Sequence, residues 1–338
     1  MTSPVLEVKN LSTVIDSPQG MLPVVHDVSL TLARGKVLGV VGESGSGKSM
    51  LAYSIMNLLT APLKITEGEI VFQGQDLRRL PEKAWQTLRG HRLAMVFQDA
   101  MQALNPLLRI DTHMVETLRA HQTISRAEAL KRARAALVDV GIAAPDERLR
   151  AYPHQFSGGM RQRVAIALAL LNEPDLVIAD EPTTALDVTL QRQILNLMKA
   201  RCQQVGTSLL WITHDFSVVA EIADDIAVMY AGKVIEQGPV HQILHHPQHP
   251  YTRGLLAAIP GRHPVGSILP TIKGTIPALR DLPSGCAFQA RCEFASAQCE
   301  RVPNATLVNE AHTVHCWHPI RTRDMTTADM ITAELSRV

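Results

Sequence analysis

The sequence has little of what marks secreted, membrane-spanning or nucleic-acid-binding proteins. Its 338 residues carry a net charge of +1 and the sequence pI is near 7.8, so no basic excess points to nucleic acid as a partner. No uninterrupted apolar run approaches the roughly 18 residues that cross a bilayer. Residues 1–7 also lack the basic and apolar segments of a secretory signal. We therefore expect a cytosolic chain. If it works at a membrane, it would do so by docking on another protein.

Cysteine and aromatic residues are scarce as well. Five cysteines in a chain expected to be cytosolic indicate plain thiols or metal ligands in preference to disulfides. Aromatic residues make up 4% of the sequence, but the total hydrophobic content of 46% can fill a sizeable core. The length suits one large domain with a smaller one attached.

One glycine-rich segment fits the pattern G-x-x-x-x-G-K-[ST], which surrounds the phosphates of a nucleotide. It consists of Gly42, Glu43, Ser44, Gly45, Ser46, Gly47, Lys48 and Ser49. An apolar strand pattern at residues 36–41 precedes this phosphate loop, and a helical pattern at 50–59 follows it, as the motif requires. The loop predicts a nucleoside triphosphate ligand, with Lys48 on the β- and γ-phosphates and Ser49 on Mg²⁺.

A second apolar run, at residues 176–179, predicts a parallel strand that is buried on both faces, and two acids follow it. Ligand chemistry in open α/β sheets lies at the carboxyl ends of the strands. Asp180 would hold Mg²⁺, and Glu181 would polarise the water that attacks the γ-phosphate. If the chain had no phosphate loop, these two acids would be explained equally well as helix-capping residues at a solvated strand end.

A third motif lies between these two elements and contains Ser157, Gly158 and Gly159. With its neighbours Phe156 and Met160 it resembles the signature sequence of ABC-type ATPases. A serine and two glycines at a helix N-terminus form a second anion site. Since one ATP does not need two such sites, we expect a head-to-tail dimer in which each chain's signature contacts its partner's nucleotide.

Three further residues match motifs of that family in order and spacing, and the resemblance covers about residues 5–238. Gln98 resembles the Q-loop glutamine, which contacts Mg²⁺ and the γ-phosphate. Asp187 lies in a segment similar to the D-loop, which contacts the opposite subunit. His214 resembles the switch histidine at the γ-phosphate. The family's aromatic residue that stacks on adenine has no counterpart near Val14 and Ile15, so base selectivity stays open.

The resemblance implies an α/β fold with a P-loop ABC-type ATPase domain at residues 1–238. This domain would combine a mixed-sheet core, a β subdomain and a helical signature subdomain at about 100–170. A small, loop-rich C-terminal extension would follow at 239–338.

The segment His249-Pro250-Tyr251-Thr252 and the tripeptide Leu104-Asn105-Pro106 are similar to ATPase subunits of dipeptide and oligopeptide importers. That resemblance implies ATP hydrolysis that drives solute uptake, at the cytoplasmic face of the membrane. The implied partners are two permease subunits, a second ATPase subunit that is a paralogue or a copy of this chain, and indirectly an external solute-binding protein. The other interpretation is a regulatory ABC ATPase that acts without transport. The transported solute is set by other subunits.

The remaining prediction concerns Cys286, Cys292, Cys299 and Cys316, which lie in a segment with little apolar surface of its own. Four soft ligands there suggest a metal that stabilises the segment, but the spacing matches neither common zinc fingers nor common ferredoxins. By resemblance to some peptide-importer ATPases we favour a [4Fe-4S] cluster. Zinc and free thiols remain as alternatives.

Overall fold

The computed structural model describes residues 4–18, 20–264 and 266–320. The strands in this part of the chain are β1 (Pro4–Ser17), β2 (Gly20–Ala33), β3 (Val37–Val41), β4 (Leu63–Phe72), β5 (Gln75–Asp76), β6 (Leu93–Val96), β7 (Leu176–Asp180), β8 (Ser208–Thr213), β9 (Asp225–Tyr230), β10 (Lys233–Pro239), β11 (Ala305–Asn309) and β12 (His312–His315). The α-helices are α1 (Lys48–Ile55), α2 (Glu82–Leu88), α3 (Ile110–Arg119), α4 (Arg126–Asp139), α5 (Pro145–Leu149), α6 (Gly158–Leu170), α7 (Val188–Val205), α8 (Phe216–Ile222), α9 (Val240–His245) and α10 (Pro250–Ala257). None of these helices is long and apolar enough to cross a bilayer.

The central sheet has eight strands in the order β11-β12-β10-β9-β3-β8-β7-β6. Strands β9, β3, β8, β7 and β6 run parallel, whereas β10, β12 and β11 pair antiparallel at one side. The apolar runs that predicted strands at 36–41 and 176–179 form β3 and β7. Since parallel strands end at the same edge, the loops after β3, β8, β7 and β6 lie beside one another.

Both faces of this sheet are covered, which explains why its strands are continuously apolar. Along β7, Val177 and Ala179 face one hydrophobic cluster, while Leu176 and Ile178 face the other. The first cluster includes residues of α3, α4, α6, α7 and α8, and the second includes residues of β1, β2, β4 and α1. Alternation of side chains along a strand thus produces a three-layer core.

A second, antiparallel sheet has the strand order β2-β1-β4-β5 and corresponds to the predicted β subdomain. Val14 and Ile15 lie in β1, where they pair with Lys64 and Leu63 of β4. The helices α3 to α6 form one unit between β6 and β7, in which α3 packs on α4 and α4 packs on α6. This unit corresponds to the helical subdomain of the predicted fold, whose bounds at about 100–170 stay a prediction.

The C-terminal extension joins the central sheet. Glu236 and Gln237 of β10 pair with Val314 and Thr313 of β12. The buried carboxylate of Glu236 also accepts hydrogen bonds from the backbone N–H groups of Gln248 (2.6 Å) and His249 (3.0 Å), and it lies 2.8 Å from His312 Nε2. The division of the chain at residue 238 stays a prediction, and residues 321–338 of the predicted extension lie outside the described residues.

Candidate functional site

The phosphate loop follows β3 and turns directly into α1. Two of its glycines are required by close backbone contacts. A Cβ atom at Gly42 would lie 2.3 Å from the carbonyl oxygen of Met229, and one at Gly47 would lie 2.6 Å from that of Val24. Gly47 also has a φ of 98°, which disfavours every residue except glycine. The helix predicted at 50–59 begins earlier, at Lys48, because Gly47 is its N-terminal cap, and it also ends earlier, at Ile55.

Lys48 is buried against the loop it belongs to. Its ammonium donates hydrogen bonds to the backbone oxygens of Gly42 (2.8 Å) and Glu43 (2.9 Å). Burial lowers the pKa of Lys48, although the carboxylates of Glu181 and Asp180 oppose this shift. The charges of both acids at the end of β7 therefore act on Lys48, which lies in the loop after β3.

Asp180 is fully buried, and neither of its carboxylate oxygens has a hydrogen-bond partner of good geometry among the described residues. Burial raises the pKa of Asp180, whereas the nearby Ser49 hydroxyl and the Lys48 ammonium lower it. A buried carboxylate without a partner is costly, and a divalent cation would satisfy it. Asp180 and Ser49 therefore fit a Mg²⁺ site.

Glu181 and His214 follow β7 and β8, which are adjacent strands. His214 Nδ1 lies 3.2 Å from Glu181 Oε1. The backbone of Glu181 has a φ of 46°, a left-handed conformation that costs a non-glycine residue of order 1–3 kcal/mol. A hydrogen bond from Glu181 N–H to the oxygen of Ile212 helps to hold this conformation, which positions the carboxylate at the sheet edge.

Gln98 lies two residues beyond the end of β6, on the exposed side of the same edge. The residue before it, Phe97, accepts a hydrogen bond of 3.2 Å from the buried amide of Gln162 in α6. The signature helix is thereby linked to the segment that carries Gln98. Gln162 has no role in the sequence-based prediction; its position one turn after the signature glycines is the available signal.

The signature and the predicted D-loop meet in the structure. Ser157 is exposed and caps α6, accepting a hydrogen bond from Met160 N–H at 3.3 Å. A Cβ at Gly159 would lie 3.1 Å from the backbone oxygen of Ala185, so this glycine allows close contact with the D-loop, whereas a Cβ at Gly158 would meet no atom within 4 Å. Asp187 caps α7 through a hydrogen bond from Leu190 N–H at 3.0 Å.

The four cysteines of the C-terminal extension influence one another. Cys286 N–H donates to the oxygen of Cys299 at 2.8 Å. Burial, assisted by the other three thiols, raises the pKa of Cys316 to about 12. The donor atoms suit a soft metal, but in the described part of the chain no three His, Cys, Asp or Glu side chains are arranged to hold a metal ion. In their present arrangement the four sulfurs therefore do not fit a cluster.

Residues that the sequence analysis left without a role also contact the phosphate loop. Tyr251 accepts a hydrogen bond from Glu43 N–H at 2.9 Å, and Arg291 forms an ion pair with the Glu43 side chain at 2.7 Å. Both residues belong to the C-terminal extension. Their contact with residue 43 depends on the tertiary fold, and no sequence pattern signals it.

A glycine-rich loop after one parallel strand, with two acids after a nearby strand, defines a P-loop protein of the α/β class. Residues 25–184 match the family described as "ABC transporter", and residues 235–299 match "Oligopeptide/dipeptide transporter, C-terminal region". The chain belongs to the ABC transporter family and carries the C-terminal region of its oligopeptide/dipeptide transporters. The family predicted from the motifs is thereby confirmed.

Two relatives are similar to this chain over nearly their whole length. The dipeptide transport ATP-binding protein DppD of Bacillus subtilis is 48% identical over 93% of this chain and 94% of that protein. The probable D,D-dipeptide transport ATP-binding protein DdpD of Escherichia coli is 47% identical over 94% of this chain and 98% of that protein. Among solved structures, a dimeric ATP-binding cassette in a post-hydrolysis state with ADP and phosphate has a TM-score of 0.64 at 29% identity, covering 70% of this chain and 98% of that one. This similarity confirms the predicted ABC-type ATPase fold.

Proposed function

We propose that this chain is the ATP-hydrolysing subunit of an ABC importer for dipeptides, oligopeptides or related small solutes. The observation that carries the proposal is the joint placement of Lys48, Asp180 and Glu181 at one sheet edge: Lys48 is held against the phosphate loop after β3, and the two acids lie at the end of β7. The carboxylates of Glu181 and Asp180 also raise the pKa of Lys48 against the effect of burial. The near full-length similarity to transport ATP-binding proteins for peptides supports the solute class.

The phosphate loop would bind the triphosphate of ATP. Its backbone N–H groups surround the phosphates, and the ammonium of Lys48 moves from the carbonyl oxygens of Gly42 and Glu43 onto the β- and γ-phosphates. Ser49, Gln98 and Asp180 would hold Mg²⁺, which neutralises charge that develops on the phosphates. The orphaned oxygens of Asp180 support this role, while the support for Gln98 is its position at the same edge.

Hydrolysis would require Glu181 to orient and deprotonate the attacking water. The 3.2 Å contact between His214 and Glu181 supports a shared site, in which His214 would contact the γ-phosphate. His214 is 59% exposed and Glu181 is 14% exposed, so a second protein surface is needed to exclude bulk water from the reaction.

That surface would be a second ATPase subunit in a head-to-tail dimer. Ser157, Gly158 and Gly159 lie at an exposed helix N-terminus, where an anion from another chain can bind. Contact between Gly159 and Ala185 makes the signature and the D-loop, including Asp187, one continuous surface. The partner would be a paralogue or a copy of this chain.

The complex would also contain two membrane permease subunits, served by an external solute-binding protein, with this chain at the cytoplasmic face of the membrane. Residues 1–238 would act as the ATPase domain and residues 239–338 as the C-terminal extension. The test is co-expression with candidate permeases, followed by reconstitution into liposomes. ATP-dependent peptide uptake that disappears in a Lys48→Ala variant would support transport.

A regulatory ABC ATPase that acts on a non-membrane partner is the second candidate. It would co-purify with a soluble regulator and leave the permeases unbound, so the same purification separates the two functions.

For the C-terminal extension we propose a [4Fe-4S] cluster on Cys286, Cys292, Cys299 and Cys316, with zinc or free thiols as alternatives. Support comes from the resemblance and from four partly or fully buried thiols, three of which help burial to raise the pKa of the fourth, Cys316. The side chains would have to rearrange, because they do not form a ligand set as they stand. No step of ATP hydrolysis depends on this group.

A further inference from the structure

An ion pair joins the C-terminal extension to the phosphate loop. Arg291 Nη1 donates to Glu43 Oε2 at 2.7 Å, and Nη2 donates to Oε1 at 3.1 Å. The side chain of Arg291 is 4% exposed and that of Glu43 is 33% exposed. Two parallel charge-assisted hydrogen bonds with one partner buried are stronger and more directional than a surface ion pair. They therefore fix the position of Glu43.

The guanidinium of Arg291 is itself held in place from several sides. Its Nε donates to the backbone oxygen of Lys273 at 2.9 Å, and Nη2 donates to that of Gly274 at 3.1 Å. It also lies over the rings of Tyr230 and Phe288, at 5.7 and 5.8 Å from their centroids. These contacts hold the guanidinium independently of Glu43. Little conformational entropy is therefore lost in forming the ion pair.

Glu43 connects the C-terminal extension to the lysine that would bind phosphate. Its backbone N–H donates to the hydroxyl of Tyr251 at 2.9 Å, and its backbone oxygen accepts from Lys48 Nζ at 2.9 Å. One residue of the loop thus contacts Arg291 and Tyr251 on one side and Lys48 on the other. Lys48 has to move from these carbonyl oxygens to a phosphate when a nucleotide binds. The backbone conformation of the loop at Glu43 determines the free-energy cost of that movement.

We propose that Arg291 is a positioning residue for the phosphate loop, and that docking of the C-terminal extension and binding of nucleoside triphosphate are coupled through Glu43. Arg291 and Tyr251 hold the loop in its binding conformation, so less conformational entropy is lost when the nucleotide binds. The coupling is reciprocal: ATP must stabilise the docked segment 286–292 by the same factor by which docking strengthens ATP binding. This inference rests on the proposed function in requiring that the loop bind ATP.

The experiment measures ATP affinity of the full chain by calorimetry, together with hydrogen exchange of segment 286–292 with and without ATP. The variants are Arg291→Ala, Arg291→Lys, Glu43→Ala and the double variant of the two alanine changes. Arg253→Ala is the matched control, because it removes another ion pair of the C-terminal extension, with Glu293, that does not touch the loop. Failure of wild-type protein to bind ATP would count against the proposed function and not against the coupling.

We expect Arg291→Ala and Glu43→Ala each to weaken ATP binding about tenfold, with the double variant little weaker than either. The ATP affinity of Arg291→Lys should lie between those of wild type and Arg291→Ala, since lysine keeps the charge but loses the paired hydrogen bonds. Arg253→Ala should bind ATP within about twofold of wild type. ATP should slow exchange of segment 286–292 in wild type but not in Glu43→Ala, whose extension is unaltered in sequence. The proposal would be overturned if both alanine variants bound ATP with wild-type affinity. It would also be overturned if hydrogen exchange of segment 286–292 in wild type were the same with and without ATP.

Discussion

Glu181 and His214 meet at the ends of adjacent parallel strands, with 3.2 Å between Glu181 Oε1 and His214 Nδ1. The two residues are 33 positions apart in sequence, and β7 pairs with β8 in the register that brings Asp180 opposite Ile212. The backbone of Glu181 has a φ of 46°, in the left-handed region. Strain at this position is maintained by the surrounding sheet, as is common at reaction sites.

Replacement of Glu181 by Gln tests its role as the base. The amide keeps the size and a hydrogen-bonding oxygen but cannot accept the proton of the attacking water. We expect ATP turnover to fall by about 10²–10⁴-fold while ATP affinity is retained, as for loss of a general base. Steady-state hydrolysis and equilibrium binding, measured on the same preparation, check this. Hydrolysis close to the wild-type rate would show that another group activates the water.

Replacement of Ser157 by Arg tests whether the signature acts on the partner's nucleotide. A bulky cation at this exposed helix N-terminus should obstruct the dimer interface without touching the phosphate loop of its own chain. We expect turnover to fall more than about tenfold, while the ATP affinity of the isolated chain changes by less than about twofold. Ser125→Arg is the control, because Ser125 caps α4 in the same way, through a hydrogen bond from Glu128 N–H of 3.2 Å. Equal loss of turnover in both variants would contradict the prediction.

His249 should make the stability of the fold depend on pH. Burial, with a smaller effect of His315, lowers the pKa of His249 from 6.5 to about 3. Between these values the unfolded chain takes up a proton that the folded chain does not, so stability is lost as the pH falls below 6.5. One such group contributes a slope of about 1.4 kcal/mol per pH unit.

The measurement is the free energy of unfolding between pH 7 and pH 5 for wild type and His249→Asn. Asparagine can replace His249 as the cap that accepts from Tyr251 N–H, but it does not titrate. We expect the variant to lose less stability on acidification. His154→Asn, at an exposed position, is the control and should follow the wild-type curve. A His249→Asn curve parallel to wild type would refute the assignment.

The cluster proposed for the four cysteines predicts the iron and sulfide content of the purified protein. If the proposed cluster forms, protein purified without oxygen will contain about four iron and four sulfide per chain, with visible absorption from sulfur-to-iron charge transfer. Replacement of Cys316 by Ser should remove this absorption and lower the unfolding temperature, because binding of the group contributes to folding of the segment. Cys202→Ser, at a buried position in α7, serves as the control for iron content. About one zinc per chain, or four reactive thiols without metal, would exclude the cluster.

Several elements of the site could be predicted because their signals are local in sequence. The phosphate loop, the strand that precedes it and the two acids at the end of β7 each appear as short patterns whose chemistry follows from residue type and spacing. The helix after the loop begins two residues before its predicted start, since a φ of 98° at Gly47 sets that start and no periodicity reveals this, and it ends at Ile55 instead of residue 59. Gln162 was missed because its hydrogen bond to Phe97 crosses 65 residues.

The sequence by itself determined the class of fold, the order of the motifs and the residue types available to bind phosphate and Mg²⁺. Those properties depend on side-chain chemistry and on backbone preferences over a few residues. The tertiary structure decided that the C-terminal extension continues the central sheet through β12 and that Arg291 reaches Glu43, 248 positions away. Such contacts depend on how strands pair and how distant segments pack, so they arise when the whole chain is folded and cannot be read from any one segment.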